Sequence, residues 1–266
     1  MTEVSFRFGA NWARLLQQLG AEHLEAAQRS LQAGLPVGRL AGARFLDVGC
    51  GSGLFSLAAR RLGARVHSFD ADPESVACTR ELKRRYAPGD RLWTIEEGSV
   101  LDAAYMARLG EFDGVYAWGT LHHTGALWQA MESVAQRVAG GGLLWVAIYN
   151  DQGWASLVWR AVKRLYNRLP RGLRWVVLGP AFVRLWGPAL LRDALRGRPL
   201  ESWRRYPDVR GMSPWRDVVD WVGGYPFEVA RPETVVEWSR RRGLVLLRSA
   251  LVGRGHGCNE FVLARR

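Results

Sequence analysis

Lysine is nearly missing from this chain: of its 37 basic residues only Lys83 and Lys163 are lysines, and the rest are arginine. Part of the basicity therefore reflects coding bias, and charge alone is a weak sign of nucleic-acid binding. Cysteine is scarce too. Cys50, Cys78 and Cys258 are odd in number and show no CxxC spacing, which argues against a disulfide framework or a zinc site and suits a reducing compartment. No run of 18 uninterrupted apolar residues occurs, so no membrane span is expected. The first residues lack the basic-then-apolar pattern of a signal peptide, and a cytoplasmic protein is the expectation. No carboxylate sits at ligand spacing from the adjacent His122 and His123, so no metal is expected.

Within 266 residues of ordinary globular composition, one α/β domain with an elaboration is the natural size class. Residues 45–53, Phe-Leu-Asp-Val-Gly-Cys-Gly-Ser-Gly, run from an apolar segment through an acid into alternate glycines, and a stretch with helix periodicity follows. That layout is strand, tight turn and helix N-terminus, where backbone approaches a nucleoside closely. Residues 64–69 read as a second strand ending at Asp70, which lies 21 positions beyond Gly49 and can accept both ribose hydroxyls. Dinucleotide folds use G-x-G-x-x-G to face a pyrophosphate. Here the glycines are evenly spaced, position 56 is serine, and Asp47 repels phosphate but suits an ammonium. A nucleoside joined to an amino acid fits better.

Here the chain resembles the class I, Rossmann-like, S-adenosylmethionine-dependent methyltransferases, whose (Asp/Glu)-x-Gly-x-Gly-x-Gly motif stands as Asp47–Gly53. The resemblance continues through residues 112–124, Phe-Asp-Gly-Val-Tyr-Ala-Trp-Gly-Thr-Leu-His-His-Thr, and the glycine turn 138–146, read as the entry to a fifth strand at 143–149. It implies a doubly wound α/β fold with a seven-stranded, mostly parallel sheet and an antiparallel last strand. It also implies S-adenosylmethionine as cofactor and S-adenosylhomocysteine as product. On that reading Asp47, Gly49, Cys50, Gly51 and Gly53 meet the methionine end and Asp70 the ribose. Ser99 and Val100 meet the adenine, with Ala71 and Trp118 as pocket walls; a serine at 99 departs from the aspartate common there.

Methyl transfer is an in-line displacement at an activated carbon, so the enzyme positions the nucleophile, excludes water and, for a hydroxyl, removes a proton. His122 and His123 are the general-base candidates, against the alternative that their loop only caps the next helix. Tyr149 and Asn150 are candidate acceptor contacts, with Asp151 beside them. Residues 213–230 resemble a C-terminal portion of sugar- or quinone-associated methyltransferases, and Asp220, Trp221 and Tyr225 are further acceptor candidates. His256 and Glu260, in a second polar loop, are weighed against a plain hairpin turn.

Three segments are expected: a helical segment 1–40, including a helix with Asn11 as N-cap and Trp12, Leu15, Leu16 and Leu19 on one face; a catalytic domain 41–150 and 231–266; and a basic, aromatic-rich helical insertion 151–230. Residues 154–205 carry twelve basic and two acidic side chains, a net +10 of the chain's +12. Trp154, Leu157, Val158, Ala161, Leu165 and Leu169 form one side of a helix, opposite Arg160, Lys163, Arg164, Asn167 and Arg168. Two Gly-Pro pairs are expected to break residues 175–191 into short helices. The main expectation is a substrate lid that buries its apolar face and solvates its arginines; peripheral membrane contact is an alternative.

O-methylation of a small or amphipathic acceptor, such as a quinol, polyketide or glycosyl or lipid intermediate, is the leading reading. RNA methylation through phosphate contacts is the runner-up, although residues 117–120 lack the Asn/Asp-Pro-Pro-aromatic motif of base-amine methyltransferases. A cofactor-binding pseudo-enzyme is the third.

Overall fold

The computed structural model describes residues 20–35, 40–210, 214–253 and 255–266; the expected helix start at Asn11, with Trp12 to Leu19, lies outside them. Seven strands form one sheet: β1 (Arg44–Val48), β2 (Arg65–Asp70), β3 (Trp93–Glu97), β4 (Phe112–Trp118), β5 (Val138–Tyr149), β6 (Leu244–Ala250) and β7 (Cys258–Arg265). Their spatial order is β3-β2-β1-β4-β5-β7-β6. β7 alone runs antiparallel, pairing with β5 and β6.

The central strands are apolar on both faces, as a doubly covered sheet demands. Leu46, Val115, Ala117, Leu144 and Val146 enter one core with Met131 and Trp238. Phe45, Tyr116, Leu143 and Trp145 point the other way, against Leu31, Leu57 and Trp93. Helices α1 (Ala21–Gly34), α2 (Leu54–Arg61), α3 (Pro73–Tyr86), α4 (Ala103–Arg108), α5 (Leu127–Ala135) and α10 (Pro232–Arg241) cover the sheet. Asp72 caps α3 by accepting the Glu74 amide at 3.0 Å, with Pro73 in the first turn.

The glycine turn expected before β5 is instead the bulged beginning of that strand. Val138 already pairs with Phe112, and the ladder resumes at Gly114 with Leu143. Gly141 takes φ +74°, so the extra residues loop out while pairing continues on both sides.

Residues Gly153–Phe227 form a second compact unit, slightly shorter than the expected 151–230. It is helical, with α6 (Trp154–Arg168), α7 (Trp175–Leu195), α8 (Glu201–Arg210) and α9 (Pro214–Gly223). Two expectations fail here. The Gly-Pro pairs do not break the chain: α7 is one helix of 21 residues with Pro180 and Pro188 inside it. A glycine before each proline removes the Cβ that would clash with the proline ring, so the helical conformation survives the lost N–H.

The face of α6 is also reversed. Ser156, Trp159, Lys163 and Tyr166 are its buried residues, whereas Trp154, Leu157, Val158 and Leu165 are exposed. Trp159 and Tyr166 sit on the polar side of the helix, and each ring buries more area than any aliphatic residue opposite. Lys163 follows them in. Its ammonium lies 4.4 Å from the Trp221 ring centre and 4.7 Å from that of Phe227 and donates to the Trp221 carbonyl. Asn167 donates to the Gly223 carbonyl at 2.7 Å. Both therefore cap the C-terminus of α9, where a cation is favoured.

Candidate active site

The first crossover builds the site's floor. Gly49, Gly51 and Gly53 all have φ between +53° and +78°, and the Gly49 and Cys50 amides donate to the Phe69 carbonyl at the end of β2. At its head Asp47 is 3 % exposed. Register places Ser68 beside it, and a chain of hydrogen bonds follows: Trp93 Nε1 donates to Ser68 Oγ at 2.8 Å, the Ser68 and Ser56 hydroxyls are 2.7 Å apart, and Ser56 Oγ donates to Asp47 at 2.5 Å. Because the indole only donates and a carboxylate only accepts, the protons run from Trp93 toward Asp47. Burial, opposed by the Ser56 hydroxyl and aided by the Asp70 charge, pushes the Asp47 carboxyl up to about 7.

Asp70 sits at the β2 tip. One of its oxygens accepts the Gly51 amide at 3.0 Å and the other the Asp72 amide at 2.9 Å, and burial raises its pKa. Each oxygen keeps a lone pair for a further donor. The Cys50 thiol faces Thr79 Oγ1 at 3.3 Å; burial holds it well above the usual thiol value, so it stays neutral. After β3, Ser99 Oγ accepts the Leu101 amide at 3.2 Å and keeps its own proton to give. Val100 is buried, Ala71 exposed, and Trp118 is 43 % exposed at the end of β4.

Beyond β4 the chain forms a single turn, Leu121–His123, and here the structure separates the two histidines. His122 is fully buried, its ring 3.9 Å from that of Tyr149. His123 is half-buried, 4.5 Å from His122 and 5.4 Å from Tyr149. Thr120 and Glu228 hold this turn, and sequence reasoning missed both roles. Thr120 packs directly over Gly49. The Glu228 amide donates to the His122 carbonyl at 3.0 Å, and its carboxylate accepts the Leu127 amide through both oxygens, at 3.0 and 3.2 Å. It thus caps α5 from 101 residues away, a distance no local capping signal reveals.

At the end of β5 an expectation is corrected. The Asn150 side chain donates to the Gly253 carbonyl at 2.7 Å and accepts from Asn259 at 2.9 Å, so it clamps the β6–β7 hairpin and has little left for an acceptor. Asn150→Ala is expected to destabilise the fold by about 1–3 kcal/mol, because it strands the buried Asn259 amide; urea unfolding measures it. Glu260 is likewise committed, accepting from Trp145 Nε1 at 3.2 Å within β7. Asp220, Trp221 and Tyr225 belong to the helical unit. Trp221 serves there as the Lys163 ring and carbonyl partner, and the Tyr225 hydroxyl accepts from Arg164 at 3.1 Å.

Comparison with known proteins decides the family. Residues 46–146, from β1 to β5, match the family model described as a methyltransferase domain. Over 190 residues the chain is 30% identical to a ubiquinone biosynthesis O-methyltransferase of Xanthomonas oryzae pv. oryzae, spanning 67% of this chain and 70% of that one. This chain belongs to the class I S-adenosylmethionine-dependent methyltransferases. A matching protein of the same description from Xanthomonas campestris pv. campestris is also 30% identical, over 67% of this chain and 70% of its own.

Solved methyltransferases share the fold. The magnesium protoporphyrin IX methyltransferase of Synechocystis PCC 6803, with bound S-adenosylhomocysteine, superposes with a TM-score of 0.55 at 14% identity, over 96% of this chain and 86% of that one. PKMT2 from Rickettsia typhi, in complex with the same product, gives 0.57 at 12% identity, over 94% and 54%. Membership of that family, not the fold likeness, makes the chain an enzyme that uses S-adenosylmethionine. None of its described helices is long and apolar enough to cross a membrane.

Proposed function

We propose that this methyltransferase transfers the methyl group to an oxygen of a small, amphipathic acceptor. The cofactor's groups find counterparts in the turn. A buried carboxylate with a raised pKa suits the amino-acid ammonium, and left-handed glycines leave room for close approach. Asp47, Gly49, Cys50, Gly51 and Gly53 hold the methionine end. The remaining Asp70 lone pairs accept the ribose hydroxyls, Ser99 donates to the adenine beside Val100, and Ala71 and Trp118 wall the pocket. S-adenosylmethionine, when bound, supplies a methyl group already activated on a sulfonium.

The observation that carries the acceptor reading is the His122–His123–Tyr149 cluster at the carboxyl edge of β4 and β5, where α/β sheets bind ligands. His123, the accessible imidazole, would take the hydroxyl proton that the acceptor gives up on methylation. His122, buried beneath it, fixes its position, and Tyr149 orients the acceptor. The relatives' description as O-methyltransferases agrees with this chemistry. The helical unit is inserted in the chain between Gln152 and Glu228, and we assign acceptor selection to it.

The test supplies methyl-labelled cofactor with host extract and fractionates the products. Label in a small-molecule or lipid fraction that survives base treatment, as a methyl ether does and a methyl ester does not, supports the proposal; label in RNA overturns it. His123→Ala is expected to lower turnover about 100-fold with cofactor affinity unchanged. Full turnover by that variant removes His123 as the base.

A further inference from the structure

Single exposed apolar residues are ordinary, but the helical unit exposes them in rows. On α6 the row is Trp154, Leu157, Val158, Ala161 and Leu165, spaced as one helix face. On α7 it is Val176, Pro180, Val183, Leu191 and Ala194, again one face and free of charge over its whole length. Meanwhile the opposite, buried faces carry Lys163 and Asp193. Each of the two helices thus buries one ionisable side chain among apolar ones while it leaves an apolar row exposed.

We propose that these outward rows dock on a lipid bilayer bearing anionic headgroups. Three features favour that occupant. Tryptophans open both helices, Trp154 at 78 % and Trp175 at 69 % exposed, and indoles prefer headgroup depth. Arginines edge the rows: Arg160, Arg164 and Arg168 on α6, Arg184 on α7 and Arg171 between them, all exposed. Their stems can lie along acyl chains while the guanidinium groups reach phosphates. The net +10 of residues 154–205 attracts an anionic surface and repels a second copy of this chain. No described helix is fit to span a bilayer, so both lie in its plane. Phosphate-tracking on RNA would use the arginines but leave the apolar rows in water. The proposal holds whatever the methyl acceptor is.

The experiment is flotation of the full chain with vesicles of phosphatidylcholine, with and without phosphatidylglycerol. Binding is expected to require the anionic lipid and to weaken as salt is added. Leu157→Glu with Val183→Glu is expected to lower it about tenfold or more, since both side chains leave water on docking. Arg171→Gln with Arg184→Gln is expected to lower it about 25-fold, each basic group contributing a factor of about five at such a surface. Circular dichroism checks that the variants fold. Quenching of wild-type tryptophan fluorescence by acyl-brominated lipid reads the contact without any variant. Absence of flotation at low salt, absence of quenching, or wild-type binding by the glutamate variant overturns the proposal. So does a preference for single-stranded RNA over vesicles, or a dimer that the glutamate variant abolishes.

Discussion

Asp47→Asn is expected to stabilise the unliganded protein at about pH 8 while weakening S-adenosylmethionine binding between about ten- and a hundredfold. The two effects have one cause. Burial lifts this carboxyl from 3.8 to about 7, so the fold holds a proton where the unfolded chain has released it. Protons bound by the native state and not by the unfolded one make stability fall as pH rises between those two values, and it stays at the lower level above them. The full interval corresponds to about 4 kcal/mol, an upper bound that relaxation of the site reduces to about 1–3 kcal/mol. Asparagine keeps an oxygen for the Ser56 hydroxyl and removes the charge. Urea unfolding should show the variant's advantage at about pH 8 shrinking toward about pH 5. In the wild type, cofactor affinity should fall up to about tenfold per pH unit below about 7, with proton release on binding; in the variant it should be flat. Calorimetry in buffers of different ionisation heat reads both. Tight, wild-type binding by the variant would remove Asp47 from the ammonium site.

Gly49→Ala is expected to cost about 3 kcal/mol or more in stability and most of the turnover. Two penalties combine. At φ +71° an L side chain is strained by about 1–2 kcal/mol. Its Cβ would also lie 2.2 Å from Thr120 Cγ2 and 2.9 Å from Thr120 Cβ, so the Thr120 backbone itself must yield. That residue leads directly into the Leu121–His123 turn, which couples the damage to the acceptor side. Thr120→Ala in the same chain should recover the part of the packing loss that comes from Thr120 Cγ2 and leave the Cβ contact and the dihedral share. A double-mutant cycle by urea unfolding tests this: additive losses would show that the clash is absent.

Much of the catalytic unit was legible from local pattern. Apolar runs bounded by glycine and acid mark β1, β2, β4 and β5, and Asp72-Pro73 marks the start of α3, because strand burial and helix capping are decided by neighbours in the chain. Other features were not legible. The bulged start of β5 depends on pairing with Phe112. The Glu228 cap on α5 and the Asn150 clamp on the hairpin join residues about a hundred positions apart. The helical unit departs furthest. Pattern reading of α6 counts lysine and arginine as the outer side, yet packing weighs area, and Trp159, Tyr166 and the stem of Lys163 bury more than the aliphatic row does.

By itself, then, the chain's order of residues determined the glycine turn, the Asp70 position and the sheet that carries them, since each rests on contacts within a crossover unit. Only tertiary structure decided which histidine is accessible, which side of α6 and α7 meets water, and how Thr120 and Glu228 brace the site. Those outcomes depend on what packs opposite each side chain, and the partner comes from a distant part of the chain.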